Sequence, residues 1–401
     1  MSTVNNGPQI VKSGLVLNLD ASDMRSYSPN VMPNPTDIFA WAGVNAANAA
    51  TLSRDTSMTR QYGSIPMKMA VTGNDPFTNT INYGPGALST WNLAPAANGQ
   101  TWTISVYVKA SVATTGELFL MPADSNGVAI TSYFGAISIS TSWTRVSFTV
   151  TISAATTAFI QGRLDGPNSG GAGINIWWDG MQVERASSAT TFNPYYFGNT
   201  SWKDISGNGY HFTIDDPRAY SITNNIKHMN FEGSYGVARR LVSGVLTDVP
   251  NFLNGTILIF SSLLNANANW RTLTRGAAND HQVIIQQGGN TLGMFDNNAG
   301  TFVTSGFDTD TIPNRYTKFN FLCWRLSQNS PYYQFQYNDN PSITTITNVL
   351  ATFNNGFATI GGISNPDQYW GKISAFLYYN RHLSQSEISQ NYQAFKSKFV
   401  I

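Results

Sequence analysis

The stretch Thr101-Trp-Thr-Ile-Ser-Val-Tyr-Val-Lys-Ala110 constrains the fold most sharply, because Trp102, Ile104, Val106 and Val108 alternate with Thr, Ser, Tyr and Lys. A period of two puts these apolar side chains on one face of a strand and turns the polar ones away from it. Further strands are expected at Glu117–Met121, Trp143–Val150, Thr157–Arg163 and Ile174–Glu184, separated by turn formers such as Asp124-Ser-Asn-Gly127 and Asp165-Gly-Pro-Asn-Ser-Gly-Gly171. Strands at this spacing with no helical period between them imply an antiparallel sandwich. Residues 36–100, rich in Ala, Asn, Thr and Gly with isolated aromatics, read as short strands and long loops.

On either side of this block lie two matching pieces. Gly14–Asp20 reads as a strand with Leu15, Leu17 and Leu19 on one face, after a polar arm over 1–12. Three prolines within Tyr27–Pro35 then stop regular structure and mark a boundary. Far downstream, Ser206-Gly-Asn-Gly209 supplies a turn that tolerates positive φ, and Tyr210, Phe212 and Ile214 alternate as a strand. More strands are expected at Lys227–Gly233, Gly255–Phe260, Gln282–Gln286, Thr291–Phe295, Lys318–Leu326, Tyr332–Tyr337, Ala358–Gly362 and Trp370–Tyr379. Ser384-Gln-Ser-Glu387 is a capping box, and it predicts a closing helix of about fifteen residues with Ile388, Tyr392 and Phe395 as its apolar stripe.

A length of 401 residues suits two or three domains. Charged residues are only 11% against 13% aromatic, so Ser, Thr, Asn and Gly must cover the surface; that suits a subunit of a larger assembly and an ordinary neutral β-protein equally well. Net charge is +1, and residues 31–196 carry seven Lys/Arg against eight Asp/Glu. Neither part has the basic face that nucleic acid or an anionic membrane requires. Cys323, in the apolar run Phe319–Trp324, is the single cysteine, which excludes an internal disulfide and reads as a buried core thiol. No run approaches the ~20 apolar residues of a membrane span. Met1–Gln9 has no signal-peptide core, so any export is expected by lysis or another route.

Two resemblances follow from these motifs. The Pro/Asn-rich opening, Trp102–Ala110, Trp143–Phe148, the close Trp177-Trp-Asp-Gly-Met-Gln-Val-Glu184 and the exit Ala189-Thr-Thr-Phe-Asn-Pro194 resemble the carbohydrate-binding-module-like jelly rolls of bacteriophage tail and fibre proteins, over residues 31–196. Asp179-Gly180-Met181 departs from the Gly-Ala more usual there. The pieces Gly14–Ala21, Trp202–Gly209, Met229–Ser234 and Gly371–Glu387 are similar to the concanavalin A-like lectin/glucanase superfamily in its laminin-G-like form, frequent in phage and bacterial surface proteins. In that family the first two pieces are neighbours, whereas here the other jelly roll separates them. The resemblance therefore implies an all-β protein of two antiparallel β-sandwich (jelly-roll) domains, one inserted in the other, with a short C-terminal helix. The expected division is an arm over 1–13, an outer sandwich of 14–30 plus 197–401, and an insert of 31–196; the alternative is two tandem domains.

For chemistry, a glucanase of this superfamily needs two carboxylates flanking the scissile bond. The chain has four glutamates, Glu117, Glu184, Glu232 and Glu387, with no two within a strand's length, so no enzyme is expected. His211, His228, His281 and His382 show no metal-ligand spacing, and no Gly-x-Ser-x-Gly elbow occurs. No cofactor is required, with calcium the one candidate: Asp20, Asp204, Asp296 and Asp367 sit near turns, but without Asp-x-Asp-x-Asp spacing each reads better as a turn former. Sugar binding uses aromatic rings flanked by Asn, Asp or Gln. Candidates are Tyr369 and Trp370 beside Asp367, Trp270 in its Asn-rich loop, and Trp41 and Trp91 in the insert, each weighed against plain core packing. Of Trp177 and Trp178, on opposite faces of one strand, at least one should be core.

The resemblances imply a non-enzymatic structural protein of a phage virion, a decoration, fibre or tail-associated subunit on the particle surface. Its expected partners are other virion proteins and further copies of itself, with adhesion to a host surface glycan and neither nucleic-acid binding nor membrane insertion. The alternatives are a dedicated carbohydrate-binding lectin module and, behind it, a polysaccharide depolymerase.

Overall fold

The computed structural model describes residues 9–23, 25–27, 46–47, 50–58, 66–73, 77–78, 93–192, 201–215, 219–223, 226–232, 237–250, 254–266, 268–278, 280–327, 329, 332–338, 340, 344–346, 356–363 and 368–399. The chain divides into two compact units, one of Met1–Tyr27 with Thr200–Ile401 and one of Ser28–Asn199. The first unit is thus made of two separated pieces of chain and the second is inserted between them. Every paired strand is antiparallel, and Gln385–Phe399 is the single α-helix among the described residues. No described helix is long and apolar enough to cross a membrane.

In the inserted unit, one sheet has the order Thr144–Thr151, Thr101–Ala110, Asn175–Glu184, Met67–Val71, Ala50–Arg54. The other runs Ala46–Ala47, Phe77–Thr78, Phe159–Asp165, Thr114–Ala123, Tyr133–Ile139, with Ala94–Pro95 also on Phe159–Asp165. Trp102, Ile104, Val106 and Val108 face Leu118, Leu120, Ile160 and Leu164 across the core, as the alternation requires. Trp178 joins that core, whereas Trp177 points outward and its indole N–H donates to Asp55 at 2.8 Å. At Asp179-Gly180-Met181 the strand bulges, with Gly180 at φ 57°. Glu184 ends the strand as an anchor, its carboxylate accepting from Thr190 N at 2.9 Å and Thr190 Oγ1 at 2.7 Å.

In the outer unit, an eight-stranded sheet is ordered Tyr220–Thr223, Ile226–Phe231, Gly371–Tyr379, Thr256–Leu263, Asn320–Leu326, Tyr333–Tyr337, Thr344–Ile346, with Leu15–Asp20 also on Gly371–Tyr379. A second sheet of eight runs Ser201–Trp202, Phe212–Ile214, Ala238–Arg239, Thr359–Ile360, Arg271–Arg275, His281–Ile285, Thr291–Asp296, Thr301–Asp308. Between them lies a core holding Leu17, Leu19, Trp202, Ile257, Ile259, Trp324 and Phe376. The first sheet is buried on both faces, because Leu258, Phe260, Phe321, Cys323 and Leu377 point the other way onto Ile388, Tyr392 and Phe395 of the helix. The capping box is formed: Ser384 N donates to Glu387 Oε2 at 2.9 Å and Glu387 N to Ser384 Oγ at 3.3 Å. Residues 9–13 are tied to the helix and its sheet, through Gln390 Nε2 to the Gln9 carbonyl at 2.7 Å and Tyr379 OH to the Val11 carbonyl at 3.0 Å.

The two pieces of the outer unit meet through the Gly-rich turn. Ile205 N donates to the Asn18 carbonyl at 2.9 Å, and Ser206 Oγ and Asn208 Nδ2 reach the Val16 carbonyl at 2.8 and 3.0 Å. The Asp204 carboxylate returns the bond by accepting from Asn18 N at 3.0 Å. Sequence neighbours on either side of the insert are therefore also neighbours in space, which is what lets a sandwich accept a whole domain in one loop.

Candidate functional site

The inserted unit presents a candidate face on the sheet of Phe159–Asp165, Thr114–Ala123 and Tyr133–Ile139. Leu118, Leu120, Ile137, Ile139, Ile160 and Leu164 fill the core, so the intervening residues Glu117, Phe119, Phe134, Ala136, Arg163 and Asp165 point away from it. Register then aligns them: Phe134 lies opposite Phe119, Phe119 opposite Arg163, and Glu117 between Ala136 and Asp165.

The result is a strip of planar groups crossing three strands. The rings of Phe134 and Phe119 stack at 5.2 Å between centroids with 29° between planes. The Arg163 guanidinium lies 4.6 Å from the Phe119 centroid, a cation–π contact. Its plane is fixed from the side, since Nε donates to Asp165 Oδ1 at 2.7 Å and Nη2 to Oδ2. Phe134 is 56% exposed while Phe119 beneath it is 9% exposed, so the aromatic end opens to solvent.

Two loops bound the strip. Gln161 Nε2 donates to the Gly127 carbonyl at 3.0 Å and draws the turn after Thr114–Ala123 over this face, where Val128 and Ile130 are 49% and 40% exposed. At the polar end, Asn168 Nδ2 donates to Glu117 Oε1 at 3.0 Å. An open aromatic ring beside a fixed guanidinium, a carboxylate and an amide is the lining that orients a small polar ligand with one apolar face.

The residues expected from sequence fare differently. Trp370 is 1% exposed, its indole N–H donates to Ser261 Oγ at 2.8 Å, and it packs edge-on against Trp324; it is a core residue and cannot stack on a sugar. Tyr369 beside it is also buried. Trp270 remains half-buried at the surface, in T-shaped contact with Phe295 and Phe302 at 5.5 and 5.4 Å. Trp41, Trp91 and Asp367 lie outside the described residues. Asp20, Asp204 and Asp296 are not gathered into a metal cradle, and among the described residues no group of three or more His, Cys, Asp or Glu could hold an ion. Each caps its own turn: Asp20 accepts from Ser22 N at 2.9 Å, Asp204 from Ser206 N at 2.8 Å, and Asp296 from Asn298 N at 2.8 Å.

What the sequence reading lacked was the strand Tyr133–Ile139, and with it Phe134. Its signal was present in Gly135, Ile137 and Ile139 alternating with Phe134, Ala136 and Ser138, but an exposed Phe and two small residues on the outer face weaken the contrast.

No family model matches the chain, and no curated protein matches it. Among solved structures it is similar to the enzymatically active domain of tailspike protein 4 of bacteriophage CBA120, with 12% identity, a TM-score of 0.30, and coverage of 40% of this chain but only 22% of that one. The CBM22-1 xylan-binding domain of Xyn10C from Paenibacillus barcinonensis shares 12% identity with a TM-score of 0.25, over 45% of this chain and 99% of that one. TmCBM61, solved with β-1,4-galactotriose, shares 11% identity with a TM-score of 0.27, over 39% of this chain and 99% of that one. At such scores the likenesses carry no argument, and the fold rests on the strand pairings themselves.

Proposed function

We propose that this protein is a non-enzymatic, adhesive structural subunit of a bacteriophage particle, whose inserted jelly roll holds a host-surface saccharide on the strip Phe134–Phe119–Arg163. The outer sandwich, laminin-G-like in its motifs, is the carrier that docks on other virion proteins and on further copies of itself. The strip is the observation that carries the adhesive reading: an exposed ring takes the apolar face of a pyranose, while Arg163, Glu117 and Asn168 meet its hydroxyls. The non-enzymatic reading is supported by how the carboxylates there are engaged. Asp165 is paired bidentately with Arg163 and Glu117 accepts from Asn168, whereas glycoside hydrolysis needs one carboxyl to hold a transferable proton and the other to attack or activate water.

A bacterial glycan array probed with the full chain tests this. Binding to a surface saccharide is expected, weakened in Phe134→Ala by about 1–2 kcal/mol, a factor of roughly 5–30. Binding unchanged in Phe134→Ala overturns the role given to the strip, and binding to no saccharide overturns the adhesive one. Release of reducing ends from the bound saccharide overturns the non-enzymatic one.

A further inference from the structure

The outer unit has its own ligand-like face, on the sheet that the helix does not cover. Directly opposite residues on adjacent strands share a face. Successive registers set Arg239 opposite Thr359, Thr359 opposite Arg275, Arg275 opposite His281, His281 opposite Phe295 and Phe295 opposite Phe302. Leu273, Val283, Leu292 and Met294 of the same strands fill the core. Register shifts between Thr272 and Arg275 and between His281 and Ile284 break the simple alternation. The buried His281 ring meets Thr272 and Phe295, neighbours of the core residues Leu273 and Met294, which sets the row on the outward side.

One end of the row is aromatic. Trp270 stands edge-on to Phe295 and Phe302, and Gly293 leaves space for the Phe302 ring, whose Cε2 would lie 2.7 Å from an added Cβ. In the middle, His281 sits edge-on to Phe295 at 6.1 Å and its Nδ1 shares a 2.9 Å hydrogen bond with Thr272 Oγ1. Burial, with Arg275 beside it, pushes the His281 imidazole down to about 4, so it is neutral at pH 7.

The other end is cationic. Arg239 is paired with Asp215 at 2.8 Å. Arg275 is half-buried, and among the described residues its guanidinium makes no hydrogen bond and no ion pair; its Nε is shielded from solvent with no acceptor. Its charge is disfavoured by burial and by Arg239. A partly desolvated cation beside a second cation and a neutral imidazole is costly unless an anion completes it. The planar fork of arginine fits a carboxylate with two parallel hydrogen bonds.

We propose that this row binds an acidic oligosaccharide, with the carboxylate of a uronic-acid-type residue on Arg275 and a neighbouring residue of the same chain on Trp270. Arg275 and Phe295 lie two strands apart, about 10 Å at the usual interstrand spacing, so the ligand spans more than one sugar ring. The site shares no residue with the Phe134 strip and does not rest on that reading.

Calorimetric titration of the full chain carrying Phe134→Ala, which removes the other face from the measurement, tests the proposal. The probes are tetragalacturonic acid, its methyl ester, and a sulfated neutral tetrasaccharide. The acid is expected to bind roughly tenfold more tightly than the ester. Arg275→Gln should abolish that preference without lowering the thermal midpoint, since the side chain holds nothing in place, and Trp270→Ala should weaken acid and ester alike. Equal binding of acid and ester, a preference that survives Arg275→Gln, binding of the sulfated probe alone, or no binding of the acid each overturns it.

Discussion

Replacing Asp204 with alanine should destabilise the outer sandwich selectively, because one carboxylate ties together two pieces of chain that the insert separates. It accepts four hydrogen bonds, from Asn18 N at 3.0 Å, Ser206 N at 2.8 Å, Ser206 Oγ at 2.9 Å and Tyr210 N at 3.1 Å. Asn18 N–H is buried and would lose this acceptor, which costs about 2–3 kcal/mol when the acceptor is charged. The other three donors are partly buried and can recruit water, so each adds a smaller amount and the total is about 3–5 kcal/mol. In a unit of this size that lowers the melting point by roughly 6–20 °C. Differential scanning calorimetry should show the outer unit's transition shifting while that of the inserted unit stays in place. Asp204→Asn, which keeps one acceptor oxygen, should shift it by less. A shift under about 3 °C, or an equal shift of both transitions, would refute the view that Asp204 fastens the interrupted sandwich.

Other outcomes follow from the same structure. Trp370→Phe leaves the Ser261 hydroxyl buried without its partner and should cost about 1–3 kcal/mol in chemical denaturation while leaving saccharide titrations unchanged; lost binding at unchanged stability would restore Trp370 as a ligand contact. Burial raises the Cys323 thiol to about 12, so a thiol reagent should label it only as fast as the outer unit unfolds, and rapid labelling of native protein would contradict its core position. Arg381, with Ser384, holds Glu387 down at about 2 against an ordinary 4.5. A depressed carboxylate stabilises above 4.5 and loses that contribution as pH falls through 2, so acid should weaken the outer unit in that window, and Glu387→Gln should flatten it. Burial likewise holds His228 and His281 near 4 against 6.5, so the unfolded chain takes up protons first. Stability should therefore already decline between pH 6.5 and 4, and an unfolding midpoint flat across that range would count against their burial as neutral rings.

The fold was largely legible because its signals are local. Trp102, Ile104, Val106 and Val108 announce a strand and its buried face within ten residues, and Ser384 with Glu387 announces the helix start within four. The first sheet's central strands were readable as apolar runs, and they are apolar because one side meets the core and the other the helix. The sites were much less legible. Tryptophan near a turn reads as a sugar contact, yet Trp370 sits under its turn with its N–H satisfied by Ser261, and nothing within a few residues distinguishes that from an exposed ring. The two strands that carry Phe134 and Phe302 alternate weakly because their outer faces serve neither core nor simple solvent.

Composition and periodicity alone determined that this chain builds antiparallel sandwiches closed by a capped helix, with a buried thiol and no charge pattern for nucleic acid. These follow from side-chain alternation along single strands. Only the tertiary structure decided which residues share a face. Phe134, Phe119 and Arg163 are distant in sequence, as are Arg239, Arg275, His281 and Phe295, and each set exists only because hydrogen-bonded register brings adjacent strands within about 5 Å. Register is a property of pairs of strands, set by packing across the whole sheet, and a single strand's sequence does not contain it.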